Sequence, residues 1–137
     1  MNTEDRKRLV AAARAARVNA YAPYSGYAVG AALRTADGRV YAGANVENAS
    51  YPVGLCAERV ALFSAVADGR REFVAIAVVT EDGAAPCGAC RQALAEFNPD
   101  LEVIMADGKG WICQVSSMKT LLPYVFGSDD AGKPDGS

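Results

Sequence analysis

Cys56-Ala57-Glu58-Arg59 and Pro86-Cys87-Gly88-Ala89-Cys90-Arg91-Gln92 are the two stretches around which this chain is arranged. Thirty residues separate Cys56 from Cys87. A Cys-x-x-Cys pair with one further cysteine offers three soft thiolate ligands, and sulfur donors in four-coordinate geometry select zinc. A structural zinc site is closed by four protein ligands, whereas a catalytic one keeps a position open for water. Glu58, two residues beyond the first cysteine, is not needed as a ligand. A zinc-held water with a spare carboxylate beside it is a hydrolytic site in outline.

The chain has no histidine, and Cys56, Cys87 and Cys90 are the candidate ligands. The remaining cysteine, Cys113, stands between Ile112 and Gln114 in an expected strand. A fourth-ligand role there would give a closed structural site; a small buried hydrophobe is the expected reading. Three thiolates around Zn2+ leave one negative charge in excess, which lowers the acidity of the metal. Arg59 and Arg91 each follow a motif directly and are candidates to donate hydrogen bonds to the sulfurs.

Outward from these motifs, residues 56–68 read as a helix stopped by Gly69, with Ala57, Ala61 and Ala65 on one stripe. Val60, Leu62, Phe63 and Val66 occupy most of the rest, and a helix apolar nearly all round is buried on more than one side. Residues 73–80 form an apolar run rich in Val and Ile, the pattern of a buried central strand. Pro86 suits the first position of a third helix that Asn98-Pro99 ends, which puts Cys87 and Cys90 in its first turn. Cys56 opens the second helix. Helix N-termini carry positive partial charge and favour thiolate over thiol.

Before the first motif, Thr3 caps an expected first helix whose face carries Leu9, Ala13, Ala16 and Ala20. Residues 22–26 break it. Residues 27–35 and 39–46 read as a hairpin about Ala36-Asp37-Gly38, and the polar run 45–51 leads from it into the metal motif. After the second motif, residues 101–106 and 111–115 are strands joined by Asp107-Gly108-Lys109-Gly110. So short a link permits a hairpin but not a parallel crossover, so these last two strands are antiparallel. Ser117 caps a short helix through Leu122. Residues 1–126 read as a single domain, and 127–137 as a disordered tail without apolar anchors.

At 137 residues, 51% hydrophobic and 22% charged, with a net charge of -2, the chain has ordinary globular composition. No basic face is visible, which argues against nucleic acid as a partner. The first twenty residues lack a continuous apolar signal core, and no run is long enough to span a membrane. A thiolate metal site in a reducing cytoplasm accounts for the cysteines better than disulfides do.

The Cys-Ala-Glu and Pro-Cys-x-x-Cys pair, in this order, resembles the zinc-dependent cytidine deaminases, of the small homotetrameric type with three cysteine ligands. The resemblance covers residues 20–126. It implies a three-layer α-β-α fold with a five-stranded mixed sheet, the last two strands antiparallel. It also implies Zn2+ as cofactor and hydrolytic deamination of cytidine and deoxycytidine, with Glu58 carrying the protons. Tyr24-Ser25-Gly26-Tyr27-Ala28-Val29-Gly30 is similar to the family's Pro-Tyr-Ser-x-Phe-x-Val-Gly, which puts Tyr27 against the base; its hydroxyl then needs a partner. Asn45-Val46-Glu47-Asn48 matches Asn-x-Glu-Asn, so Asn45 and Glu47 are carried over as holding the ribose 3′-hydroxyl. Ala57 and Tyr51 match further substrate-binding positions, and Tyr51 and Phe126 match positions that serve a neighbouring subunit's site. Free-nucleoside deaminases share the final hairpin, whereas nucleic-acid-editing relatives insert a helix there. Ala85 stands where the family usually has Ser, and the linker before it is short. Two other functions compete: deamination of a cytosine-bearing antibiotic nucleoside, opposed by Asn45, Glu47 and Ala89, and a non-catalytic zinc-stabilised binding module, opposed by Glu58.

Overall fold

Phe73–Val79 is apolar at every position, and only Val74 of the seven is exposed. Such a strand needs cover on both faces and neighbours on both edges. In the computed structural model, which describes residues 1–127, it has both. The elements in order are α1 (Thr3–Arg17), β1 (Gly30–Thr35), β2 (Val40–Ala44), a 3-10 turn (Tyr51–Val53), α2 (Ala57–Ala67), β3 (Phe73–Val79), α3 (Gly88–Ala95), β4 (Glu102–Ala106), β5 (Ile112–Ser117) and α4 (Met118–Leu121). The sheet order is β2-β1-β3-β4-β5. β3 pairs antiparallel with β1 and parallel with β4, and β4 pairs antiparallel with β5 across the short link. The three-layer fold with a five-stranded mixed sheet is therefore present.

Alternation along the strands builds the two cores. Ala31, Leu33, Ile76, Val78, Val103 and Met105 face α2, α3 and α4. Ala32, Ala75, Ala77, Val79, Ile104 and Ala106 face α1 through Leu9, Val10 and Ala13. Alanine dominates the second set, so α1 lies close on the sheet. At Gly30 a Cβ would stand 2.0 Å from the Ala13 carbonyl oxygen, too near for any side chain.

The alanine stripe of α2 makes the same kind of approach on the opposite face. A Cβ at Gly43 of β2 would lie 2.6 Å from Ala61 N and 2.7 Å from Ala57 O. Gly43 therefore sets the seat of the helix that carries Cys56 and Glu58.

Several boundaries differ from the sequence reading. Asn2, not Thr3, caps α1, accepting from Asp5 N at 2.8 Å. Residues 27–29 stay outside β1 because Tyr27 N donates to Ser25 Oγ and Val29 N to Asn45 Oδ1. Pro86 lies before α3, whose N-cap is Cys87, and the helix ends at Ala95, ahead of Asn98-Pro99. Within one chain α2 is buried on one side only: Phe63 is 47% exposed. Cys113 is exposed rather than buried, its Sγ lying over Gly83. The tail beyond Gly127 lies outside the described residues.

Gly43→Ala should lower stability by about 1–3 kcal/mol, because the methyl group meets helix backbone that cannot fold away. Gly88→Ala, where nothing lies within 4 Å, should lose none. Urea unfolding midpoints check this; equal midpoints for the two variants would remove Gly43 as the seat of α2.

Candidate active site

Connectivity dictates where the two motifs meet. α2 runs into β3 through residues 68–72 and α3 leaves β3 through residues 80–87, so both helices begin at the carboxyl end of the central strand. Cys56 and Cys87 are the N-caps of α2 and α3, and Cys90 is the third residue of α3. Neither sulfur accepts a capping hydrogen bond from the backbone of its own helix, which leaves both available. The Sγ atoms of Cys56, Cys87 and Cys90 lie within 4.8 Å of one another, with Cys56 to Cys87 at 3.7 Å. Tetrahedral zinc with Zn–S bonds of about 2.3 Å sets sulfur pairs about 3.8 Å apart, so the cluster fits the ion. Among the described residues Cys113 has no part in this group.

Electrostatics point to the same conclusion. Interaction with Cys90, then Arg59 and Cys87, pulls the Cys56 thiol down from 9.0 to about 5 despite partial burial. Cys90 moves the other way, raised by the Cys56 thiolate, by burial and by Glu58. The opposed shifts of Cys56 and Cys90 are a conflict that a bound divalent ion would remove. Arg59 Nη2 donates to Cys56 Sγ at 3.5 Å, and the sulfurs raise the guanidinium's proton affinity. Arg59 Nε is buried with no partner, which fits a neighbourhood built for sulfur charge.

Arg91 corrects the sequence reading. Its Nε donates to Pro86 O at 2.8 Å and its Nη1 to Leu121 O at 2.8 Å, so these donors hold the loop before Cys87 and the end of α4. Among the described residues Arg91 makes no hydrogen bond to a cysteine sulfur.

Glu58 is 4% exposed in the first turn of α2. Burial, reinforced by the Cys56 charge, pushes its carboxyl up to about 7. A carboxyl group that gains and loses a proton near neutrality suits general acid–base work. Ala57 is fully buried at the first position of α2, where a backbone N–H has no intrahelical partner.

A cleft of about 490 Å3 opens beside the cluster and is lined by Ser25, Asn45, Glu47, Tyr51, Cys56 and Arg59. Asn45, 9% exposed, accepts from Val29 N and donates to Tyr27 O at 2.8 Å. Glu47 accepts from the Tyr24 and Ser25 amides and from the Ser25 hydroxyl, which hold it below the usual carboxylate range. Tyr51 is 75% exposed, its ring edge-on to Tyr24 at 5.8 Å. Tyr27 does not line this cleft; its hydroxyl finds a partner in Asp82 Oδ1 at 2.6 Å. Phe126 is exposed and accepts from Gln92 Nε2 through its carbonyl. Sequence reasoning missed Ser25 as the brace of Glu47 and Asp82 as the partner of Tyr27, because both pairings join residues far apart in the chain.

X-ray absorption at the zinc edge should report three sulfurs and one lighter neighbour. Cys113→Ser should keep one zinc per chain and Cys87→Ser should not. Four sulfurs, or zinc loss in Cys113→Ser, would contradict the three-cysteine site.

The family profile described as "Cytidine and deoxycytidylate deaminase zinc-binding region" matches residues 3–106. Cytidine deaminase of Halalkalibacterium halodurans is 50% identical over 129 residues, covering 92% of this chain and 97% of that one. The Sporosarcina psychrophila enzyme of the same name is 48% identical, covering 92% and 94%. The crystal structure of cytidine deaminase from Burkholderia pseudomallei superposes with a TM-score of 0.84 at 53% identity, covering 92% of this chain and all of that one. With the three sulfurs gathered at two helix starts and Glu58 buried beside them, the chain belongs to the zinc-binding cytidine and deoxycytidylate deaminase family.

Proposed function

We propose that this protein is a zinc-dependent cytidine deaminase, converting cytidine and deoxycytidine to uridine and deoxyuridine with release of ammonia, as in pyrimidine salvage. The observation that carries the reading is the buried Glu58, two residues beyond Cys56, next to the three-sulfur cluster and a nucleoside-sized cleft. Relatives about half identical over nearly the whole chain bear the same activity in their names.

Cys56, Cys87 and Cys90 would hold the metal. Zinc supplies Lewis acidity and a water whose pKa falls toward neutrality. Glu58 takes a proton from the attacking water and delivers it to N3 of cytosine while the water oxygen bonds C4. It then moves the second proton to the exocyclic amine, the C4–N bond breaks and ammonia leaves. Its elevated pKa suits both directions of transfer. Arg59 donates to Cys56 and offsets the negative charge of the cluster. Asn45 and Glu47, braced by the loop 24–29, meet the ribose 3′-hydroxyl, and the Ala57 amide contributes to binding the base. Tyr27 is assigned to the base side and Tyr51 to the sugar side.

The entire span 1–126 is read as one catalytic domain in a homotetramer. Exposed Phe63, Tyr51 and Phe126 support that reading, as apolar side chains that neighbouring subunits would cover. The working compartment is the cytoplasm and the substrate a free nucleoside. Among the described residues no helix is long and apolar enough to cross a membrane.

Ultraviolet absorbance should change when the purified zinc protein meets cytidine or deoxycytidine, with uridine or deoxyuridine and ammonia formed in equal amounts. Free cytosine should be a poor substrate, because it leaves Asn45 and Glu47 without a sugar; a buried unpaired polar group costs about 1–3 kcal/mol. Comparable efficiency on cytosine would overturn the sugar assignment, and no turnover of either nucleoside would overturn the reading.

A further inference from the structure

Two loops that share no strand pairing stand on the sugar side and the metal side of the site. One, residues 24–29, braces Glu47 and Asn45. The other, residues 80–86, leaves β3 and delivers Cys87. A nucleoside lying between sugar donors and metal cluster needs the two loops at a fixed separation, since a misplacement of about 1 Å can cost on the order of a hundredfold in rate.

Among the described residues, a hydrogen bond from the Tyr27 side chain to that of Asp82 joins them. Tyr27 Oη donates to Asp82 Oδ1 at 2.6 Å. Within its own loop Tyr27 is pinned at both ends of its peptide, its N–H on Ser25 Oγ at 3.0 Å and its carbonyl under Asn45 Nδ2 at 2.8 Å. Asp82 is pinned as well. Its Oδ1 also accepts from Thr80 Oγ1 at 3.3 Å, and its backbone bridges to Asp107. The Thr80 hydroxyl in turn accepts from Ala84 N at 2.8 Å, and the Arg91 guanidinium holds Pro86 O. Hydrogen bonds thus tie Glu47 through Ser25, Tyr27 and Asp82 to the segment that ends at Cys87. The Tyr27 hydroxyl holds Asp82 below the usual carboxylate range, so the acceptor is charged at neutral pH.

We infer that Tyr27 and Asp82 form a strap that sets the sugar-side loop against the metal-side loop, with Asp82 a positioning residue for the nucleoside. The substrate half of this inference rests on the deaminase reading above; the mechanical half does not. Asp82 does not line the cleft, and it acts through the Tyr27 hydroxyl.

The test uses the zinc-loaded full chain as wild type, Tyr27→Phe, Asp82→Ala, Asp82→Asn and the Tyr27→Phe/Asp82→Ala double variant. Two readouts are taken: amide hydrogen exchange in residues 24–29 and 80–86, and KM and kcat for cytidine. Losing one hydrogen bond should raise KM on the order of fivefold with a smaller change in kcat. Tyr27→Phe and Asp82→Ala should each speed exchange in both loops, including the loop that was not altered. The double variant should be no worse than either single one, and Asp82→Asn, which keeps an acceptor oxygen, should recover most of the loss. All variants should keep one zinc per chain. Exchange confined to the altered loop, additive effects in the double variant, or an unchanged KM would overturn the strap. If exchange rises in both loops while even the wild type leaves cytidine untouched, the strap stands and the deaminase reading falls.

Discussion

Everything at this site depends on two helices starting at the same place. α2 enters β3 and α3 leaves it, so the central strand fixes both N-termini at its carboxyl end. Each start carries a cysteine as N-cap, and the third sulfur follows within the first turn of α3. Sulfurs from segments thirty residues apart are thereby held at metal-binding separation by the sheet itself. The close seat of α2 on Gly43 belongs to the same constraint, because a shift of that helix moves Cys56 and Glu58 together.

Crowding three sulfurs and a carboxyl group is electrostatically unfavourable without a cation, and the opposed shifts of Cys56 and Cys90 record that conflict. Two features of the chain ease it. Helix N-termini point partial positive charge at the sulfurs, and Arg59 reaches Cys56 from the first turn of α2. Zinc supplies the rest of the charge. Burial, with the Cys56 charge adding to it, leaves Glu58 with a proton affinity suited to moving protons.

Local signals made most of the architecture legible. Hydrophobic run length identified β3 as central, and the four-residue link fixed β4 and β5 as antiparallel. The cysteine spacing located the cluster, and the resemblance gave it a chemistry. What local pattern could not carry was the direction of long side chains. Arg91 follows Cys90 as Arg59 follows Glu58, yet only Arg59 turns to sulfur, because carbonyls at Pro86 and Leu121 stand within reach of Arg91. Cys113 read as buried because an apolar strand surrounds it in sequence, but β5 is an edge strand with exposed positions. Tyr27 to Asp82 spans 55 positions and leaves no periodic trace.

The central claim is that metal holding and proton transfer reside in different side chains. Zinc content and cytidine turnover measured on one preparation of Glu58→Ala test it most directly. The account predicts one zinc per chain, an unchanged fold and a loss of turnover at or beyond the upper end of the roughly 10²–10⁴ typical of a single acid–base group. Loss of zinc would make Glu58 a ligand or a support of the cluster, and near-normal turnover would mean another group carries the protons; either result contradicts the account.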